Sequence, residues 1–301
     1  MKKLIIVVLI ACMLCSITTI QYKTEAAPGV SASNAVVLDM DTNEILFEKQ
    51  AHESRNIASI TKIMTAIVAL EHGELDDQVL ITPNAAHKEG SSIYTKAGDI
   101  YSLEDLIYGL LLRSGNDAAT AIAEHIAGSE KGFAFLMNQK ARWIGMNDSS
   151  FQNPHGLDEE GHYSSAYDMA LLTSYAMNTN KTFRKMFGTK KHLSENIDYH
   201  WFNKNKLLMT NEYCTGGKTG FTKSAGRTLV TTAELDGKRV VVVTLNASSD
   251  WSDHRALYDY GFEQLIEKDE ELGEGFFEFP AFFKSYFDVF NKMHGVTEWS
   301  T

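Results

Sequence analysis

The sequence predicts an α+β fold, in which N- and C-terminal strands form one antiparallel sheet and a large helical insertion separates them. Three observations carry this. "NAVVLDMDTNEILFEK" (34–49) reads as two strands around the turn Asp41-Thr42-Asn43. "GRTLVTTAEL", Asp236-Gly237 and "KRVVVVTLNAS" form a second strand pair around a two-residue turn. The stretch between the pairs is mostly spaced for helices, without the strand–helix alternation that builds a parallel sheet.

The insertion divides at its own start and stop signals. "SITKIMTAIVALEHG" reads as a helix from Ser59 to Gly73, and "YSLEDLIYGLLL" opens on Ser102 and Asp105 in capping positions. "NDAATAIAEHIA" stops at Gly128, "EKGFAFLMNQKARWI" stops at Gly145, and "SSAYDMALLTSYAMN" has helical spacing. After the second strand pair, "SDHRALYDYGFEQLIEK" is helical again. One domain thus runs from about 30 to 267.

Both ends lie outside it. "MKKLIIVVLIACMLCSITTI" has two lysines, then no charge from Leu4 to Ile20. Thr24 and Ala26 have the small-x-small spacing of a signal-peptidase site, so residues 1–26 read as an export leader; an uncleaved anchor is the other reading. The protein is expected at the cell envelope, on the outer face of the cytoplasmic membrane or secreted. The net charge is −11. Removing residues 1–26 takes away three lysines and one glutamate and makes it −13. That balance argues against nucleic acid as a partner. Cys12 and Cys15 leave with the leader, so Cys214 has no intramolecular partner and reads as a small core residue. Residues 268–301 form an acidic connector and an aromatic tail. If helical after Pro280, Phe282, Phe283, Tyr286, Phe287 and Phe290 share one side. That side suits either a membrane interface or packing on the domain.

The chemical signal begins at Ser59-Ile60-Thr61-Lys62. On a helix, residues three apart share a face. A serine hydroxyl needs a base, and a solvated lysine with a pKa near 10.4 is neutral about once in 2,500 at pH 7. Burial can lower that pKa by roughly 3–5 units. The residues after Lys62 are nearly all apolar, from Ile63 through Leu70, so the helix itself could supply the burial. Taken alone, the pair also fits a helix cap beside a lysine that snorkels to water. Two further motifs follow in order: Ser114-Gly115-Asn116 between two helices, and Lys218-Thr219-Gly220 on a strand at the sheet edge.

The order Ser-x-x-Lys, Ser-x-Asn, Lys-Thr-Gly resembles the three-part active site of penicillin-recognising serine enzymes. With "SITKIMTA", "LLLRSGNDAATAIAEHIAGS", "FQNPHGLDEEGHYSSAYDMALL" and "GGKTGFTKSAGRTLV", the chain is similar over about residues 30–265 to serine-type D-alanyl-D-alanine carboxypeptidases, the low-molecular-mass penicillin-binding proteins. The resemblance implies a penicillin-binding or β-lactamase-like transpeptidase fold. Ser59 is then the acylated nucleophile, Lys62 its base, and Ser114 and Asn116 relay protons and hold the substrate amide. Lys218 and Thr219 bind the terminal carboxylate, and Gly220 lets the substrate lie close along its strand. The oxyanion sits between the N–H groups of Ser59 and Phe221. Arg255 reads either as a carboxylate partner or as a surface helix residue, and His155 as a turn residue or a catalytic one. Phe221 departs from the histidine often found after Lys-Thr-Gly. The implied partners are peptidoglycan stem peptides ending in D-Ala-D-Ala and β-lactams as inhibitors, with no metal or organic cofactor. Endopeptidase or β-lactamase chemistry, and a non-catalytic peptidoglycan-binding module, are the rival readings.

Overall fold

The structure, a computed structural model, describes residues 27–194 and 196–274. The leader and the aromatic tail lie outside the described residues. Strand β1 (Asn34–Asp39) passes through Asn43, at φ +59°, into β2 (Ile45–Lys49). A 3-10 turn (Ala58–Thr61) leads into helix α1 (Lys62–His72). Ser59 therefore sits in the tight turn ahead of the α-helix, one element earlier than its spacing predicts.

The insertion continues with β3 (Gln78–Leu80), the short α2 (Pro83–Ala86), β4 (Ile100–Ser102) and α3 (Leu103–Tyr108). A π-helical turn (Gly109–Arg113) then leads to α4 (Asn116–Ala127), α5 (Glu130–Ile144), α6 (Ala166–Thr179) and α7 (Lys181–Phe187). The start signals act as chemistry requires. Ser102, Ser129, Ser165 and Asn180 each accept from the backbone N–H three residues on, satisfying a donor that the helix leaves unpaired. Gly128 and Gly145, at φ +72° and +92°, take the left-handed conformation that ends α4 and α5. Beyond lie β5 (Lys191–Ser194), β6 (Tyr199–Phe202), α8 (Leu207–Thr210), β7 (Cys214–Thr222), β8 (Gly226–Leu235), β9 (Lys238–Leu245) and α9 (Asp250–Glu274). Helix α9 crosses residue 267 without a break.

The five-stranded sheet has the order β2-β1-β9-β8-β7, antiparallel throughout, so strands from the two ends of the chain close it. Asp236 and Gly237, both at positive φ, make the tight turn between β8 and β9. The run Val240–Val243 is buried at every position because both sheet faces are covered. Val241 and Val243 join the core of the insertion, with Met64, Ile67 and Met169. Val240 and Val242 join a second core under α9, with Leu257, Tyr258 and Phe262. Helix α1 lies inside the first core, with Lys62 through Ala69 all buried.

Helix α9 is tied to the chain's entry into the sheet. The Asp253 carboxylate accepts from Ser31 N (3.0 Å), Ser31 Oγ (2.7 Å) and Ala32 N (3.1 Å). Asp253→Ala leaves those donors unpaired and is expected to cost about 2 kcal/mol, seen as a lower urea midpoint at unchanged slope. An unchanged midpoint would show that the tie contributes nothing to stability.

Candidate active site

Three segments converge beside the sheet edge: the turn that opens α1, the junction between the π turn and α4, and strand β7. Each carries backbone features that the chemistry needs. Ala58, next to Ser59, is at φ +51°, and Ser114, which closes the π turn, is at φ +66°. Left-handed conformations at non-glycine residues are uncommon, and their surroundings must hold them. At Ala58 the holding is visible. Its carbonyl accepts from Thr61 Oγ1 (2.8 Å), which faces His162 Nε2 (2.9 Å). His162 Nδ1 accepts from Gln152 N (3.1 Å), so the ring proton sits on Nε2 and points to Thr61. Burial, then the neighbouring His155, pushes the His162 pKa down to about 4, which keeps the ring neutral.

Lys62 is fully buried. Its Nζ lies 2.7 Å from Asn116 Oδ1, 2.5 Å from the His155 carbonyl and 3.1 Å from Ser59 Oγ. Asn116 is fixed in turn, since its Nδ2 donates to the Glu89 carbonyl (2.7 Å). Burial drives the Lys62 pKa well below the ordinary lysine value, and the charges of Lys218 and Lys204 push the same way. A neutral amine has two N–H bonds and one lone pair. The two carbonyl oxygens can only accept, so they take both N–H bonds, and the lone pair is left facing Ser59 Oγ. The site thus pairs an acceptor with the hydroxyl whose proton it would remove.

Lys218 mirrors this arrangement on β7. It is buried, its Nζ donates to Ser114 Oγ (2.9 Å) and to the Thr219 carbonyl (2.7 Å), and burial with Lys204 lowers its pKa to about 7. Strand β7 approaches Ser59 closely. A Cβ on Gly220 would lie 2.4 Å from Thr228 Oγ1 and 2.9 Å from Ser59 N. Only a residue without a side chain leaves the Ser59 N–H open to a ligand.

In front of these groups lies a cleft of about 540 Å³, bordered by Ser59, Ser91, Ser114, Thr219, Gly220 and Phe221. Lys62, Asn116 and Lys218 stand behind its wall. Six bordering residues escaped the sequence reading: Ser91, Lys204, Lys206, Arg227, Asp250 and Trp251. Arg227 lies opposite Phe221 in the β7–β8 pairing, and its Nη1 is 3.6 Å from Asp250 Oδ1. The hairpin register was the signal that could have found it.

Arg255 requires a correction. It does not border the cleft; it is exposed on α9 and its Nη2 donates to Thr210 Oγ1 (3.1 Å). Residues 250 and 251 of α9 face the cleft, and position 255 is more than a turn further on. His155 contributes its backbone carbonyl to Lys62 and turns its ring toward Glu130, with Nε2 3.6 Å from Oε1. Cys214 lies outside the cleft, where burial raises its thiol pKa. Among the described residues no cluster of histidine, cysteine or carboxylate side chains is arranged to hold a metal ion.

Comparison with known proteins agrees with this geometry. The model of the D-alanyl-D-alanine carboxypeptidase family, peptidase S11, matches residues 21–249. The Bacillus subtilis D-alanyl-D-alanine carboxypeptidase DacF is 36% identical over 262 residues, covering 83% of this chain and 67% of its own length. The Escherichia coli relative DacD is also 36% identical, over 74% of this chain, but this chain spans only 60% of its length. Among solved structures, D-alanyl-D-alanine carboxypeptidase from Mycobacterium tuberculosis superposes with a TM-score of 0.76 at 28% identity, over 80% of this chain and 95% of that one. The chain belongs to the D-alanyl-D-alanine carboxypeptidase family of serine peptidases.

Proposed function

We propose that this protein is a serine-type D-alanyl-D-alanine carboxypeptidase that removes the terminal D-alanine from peptidoglycan stem peptides, and that β-lactams acylate the same serine. The observation that carries the reading is the buried Lys62 amine, whose Nζ lies within hydrogen-bond distance of two carbonyl oxygens and of Ser59 Oγ. The neutral form would spend its N–H bonds on the carbonyls and turn its lone pair to the hydroxyl. In the first step the Ser59 proton passes to Lys62 while Oγ bonds to the carbonyl carbon between the two D-alanines. The oxyanion is held by the N–H groups of Ser59 and Phe221. The C–N bond then breaks, and the leaving amine takes a proton delivered through Lys62 and Ser114. Water then gives a proton to Lys62 as its oxygen bonds to the ester carbon, the C–Oγ bond breaks, and Lys62 returns that proton to Ser59 Oγ as the shortened peptide departs. Asn116 holds the substrate amide, and Lys218 with Thr219 binds the terminal carboxylate, with Lys204 and Arg227 adding positive charge at the cleft. A peptidoglycan substrate fits export through the leader-like residues 1–26, and the aromatic tail is the segment that could contact a membrane surface.

Three measurements test this. Wild-type protein treated with penicillin is expected to carry one covalent adduct, located on Ser59 by mass spectrometry, and Ser59→Ala to carry none; an adduct on another residue rejects the assignment. Gly220→Ala places a methyl group against the Ser59 N–H and is expected to slow acylation by about 100-fold, the cost of one oxyanion donor. Retention of the full rate would move the oxyanion site elsewhere. The third is the pH dependence of kcat/KM. Lys62 must be neutral, so activity rises with pH through its depressed pKa and is already present far below the usual lysine range. Lys218 must be cationic, so activity toward a free-carboxylate substrate falls as pH rises through about 7. A substrate capped at its carboxylate is expected to lose the alkaline limb and keep the acid one. An acid limb near 10 would show that Lys62 is an ordinary lysine.

A further inference from the structure

A second pocket, of about 890 Å³ and sharing no lining residue with the cleft, is bordered by Lys88, Glu89, Glu130, Asn153 and His155 among others. One carboxylate in its wall joins three elements. Glu130, the first residue of α5, accepts from Lys88 Nζ through both oxygens (2.8 and 3.0 Å) and from Thr120 Oγ1 of α4 (2.5 Å). It also faces His155 Nε2 at 3.6 Å. His155 Nδ1 accepts from Leu157 N (3.2 Å), so its ring proton is on Nε2, toward Glu130. Burial would raise the Glu130 pKa, yet the donors from His155, Lys88 and Thr120 hold it at about 2, so it is an anion throughout the working range.

The two segments that Glu130 grips are the two that hold Lys62. Lys88 precedes Glu89, whose carbonyl takes Asn116 Nδ2, and the Ser91 carbonyl accepts from Asn116 N (2.7 Å). These contacts aim Asn116 Oδ1 at Lys62. His155 belongs to the turn Asn153–Leu157, closed by Gly156 N donating to Asn153 Oδ1 (2.8 Å). That turn presents two carbonyls to α1: Pro154 to Thr65 Oγ1 (2.6 Å) and His155 to Lys62 Nζ. Gly156, at φ +84°, packs so tightly that a Cβ would sit 2.0 Å from the Ala58 carbonyl. The turn therefore seats directly on the strained residue before the nucleophile.

We propose that Glu130 is a positioning residue for acylation: it clasps the Lys88 loop to the His155 turn and so fixes the two oxygens that orient the Lys62 lone pair. Glu130 borders the second pocket and touches neither substrate nor reacting atoms. The inference rests on the functional reading above. Lost clamping tilts the amine away from Ser59 and leaves the carboxylate pocket on β7 unchanged.

The test is acylation by penicillin and D-alanine release from a pentapeptide, with rates expressed per site that penicillin finally labels, which removes unfolded protein from the comparison. Glu130→Ala is expected to lower kcat and the acylation rate about tenfold, the order of loss from a small misplacement of a catalytic group, with KM within about twofold. Lys88→Ala is expected to give a smaller loss of the same kind. The double variant should then be no slower than Glu130→Ala, because both changes open one clasp. Losses that multiply, a fall confined to KM, or an unchanged kcat would overturn the inference. Should the alanine variant not fold, Glu130→Gln, which turns an amide toward Lys88, is expected to lower kcat with KM preserved, and wild-type kcat there would overturn it. A wild-type protein that penicillin fails to label at Ser59 would overturn the functional reading and this inference together, whereas normal labelling with an unaffected Glu130→Ala would overturn the inference alone.

Discussion

The structure turns on keeping one amine uncharged. An ammonium buried without a carboxylate partner is costly, and Lys62 has no such partner among its direct contacts: two carbonyl oxygens and a hydroxyl surround it. The helix that carries it is buried from Lys62 through Ala69, and the positive charge of Lys218 and Lys204 pushes the same way as burial, against the opposing pull of Asp117. Burial, the largest of these effects, favours the neutral amine. The architecture can be understood as the means of assembling that environment. The insertion supplies the dry interior, the sheet edge supplies the second lysine, and the turn at 153–157 supplies an acceptor that a helix could not provide.

The two buried lysines do different work because their partners differ. Lys62 faces groups that consume its N–H bonds, which leaves an electron pair directed at Ser59. Lys218 faces Ser114 Oγ and a carbonyl at the cleft edge, where an arriving anion would restore its charge. Each also raises the cost of a proton on the other. On the proposed mechanism the site draws a base and a cation from the same residue type, through surroundings alone.

Much of this was legible in the chain. The strand pairs, the helix cap at Ser102, and the stops at Gly128 and Gly145 are local, and local chemistry decides them. So is the spacing of Ser59 and Lys62. What escaped depends on contacts across the fold. Strands β3 and β4 have three residues each, and β5 and β6 four, too short for periodicity to register. The β5–β6 pair is held instead by Ser194 Oγ donating to Asp105 (2.8 Å) and by His192 stacked on Tyr108 at 3.7 Å. Arg227 reaches the cleft through hairpin register, and Arg255 misses it through helix phase, which no motif states. Glu130 looks in sequence like an ordinary acidic residue after a serine cap. Its role appears only when a loop some forty residues earlier and a turn some twenty-five later come to its carboxylate.

The pairing of β1 with β9 has a consequence for biogenesis. Asn34 meets Leu245 and Asp39 meets Val240, so the central strand contact joins segments about two hundred residues apart. Contacts of such range form late and slowly, since a long loop must close before they are rewarded. Helix α1 packs within a core that includes Val241 and Val243 of the later strand. A chain still emerging from the ribosome lacks Lys218 and Gly220 until β7 (Cys214–Thr222) has been made, so the site beside Ser59 is incomplete. The three segments of the site come together only when the closing strands have joined the sheet.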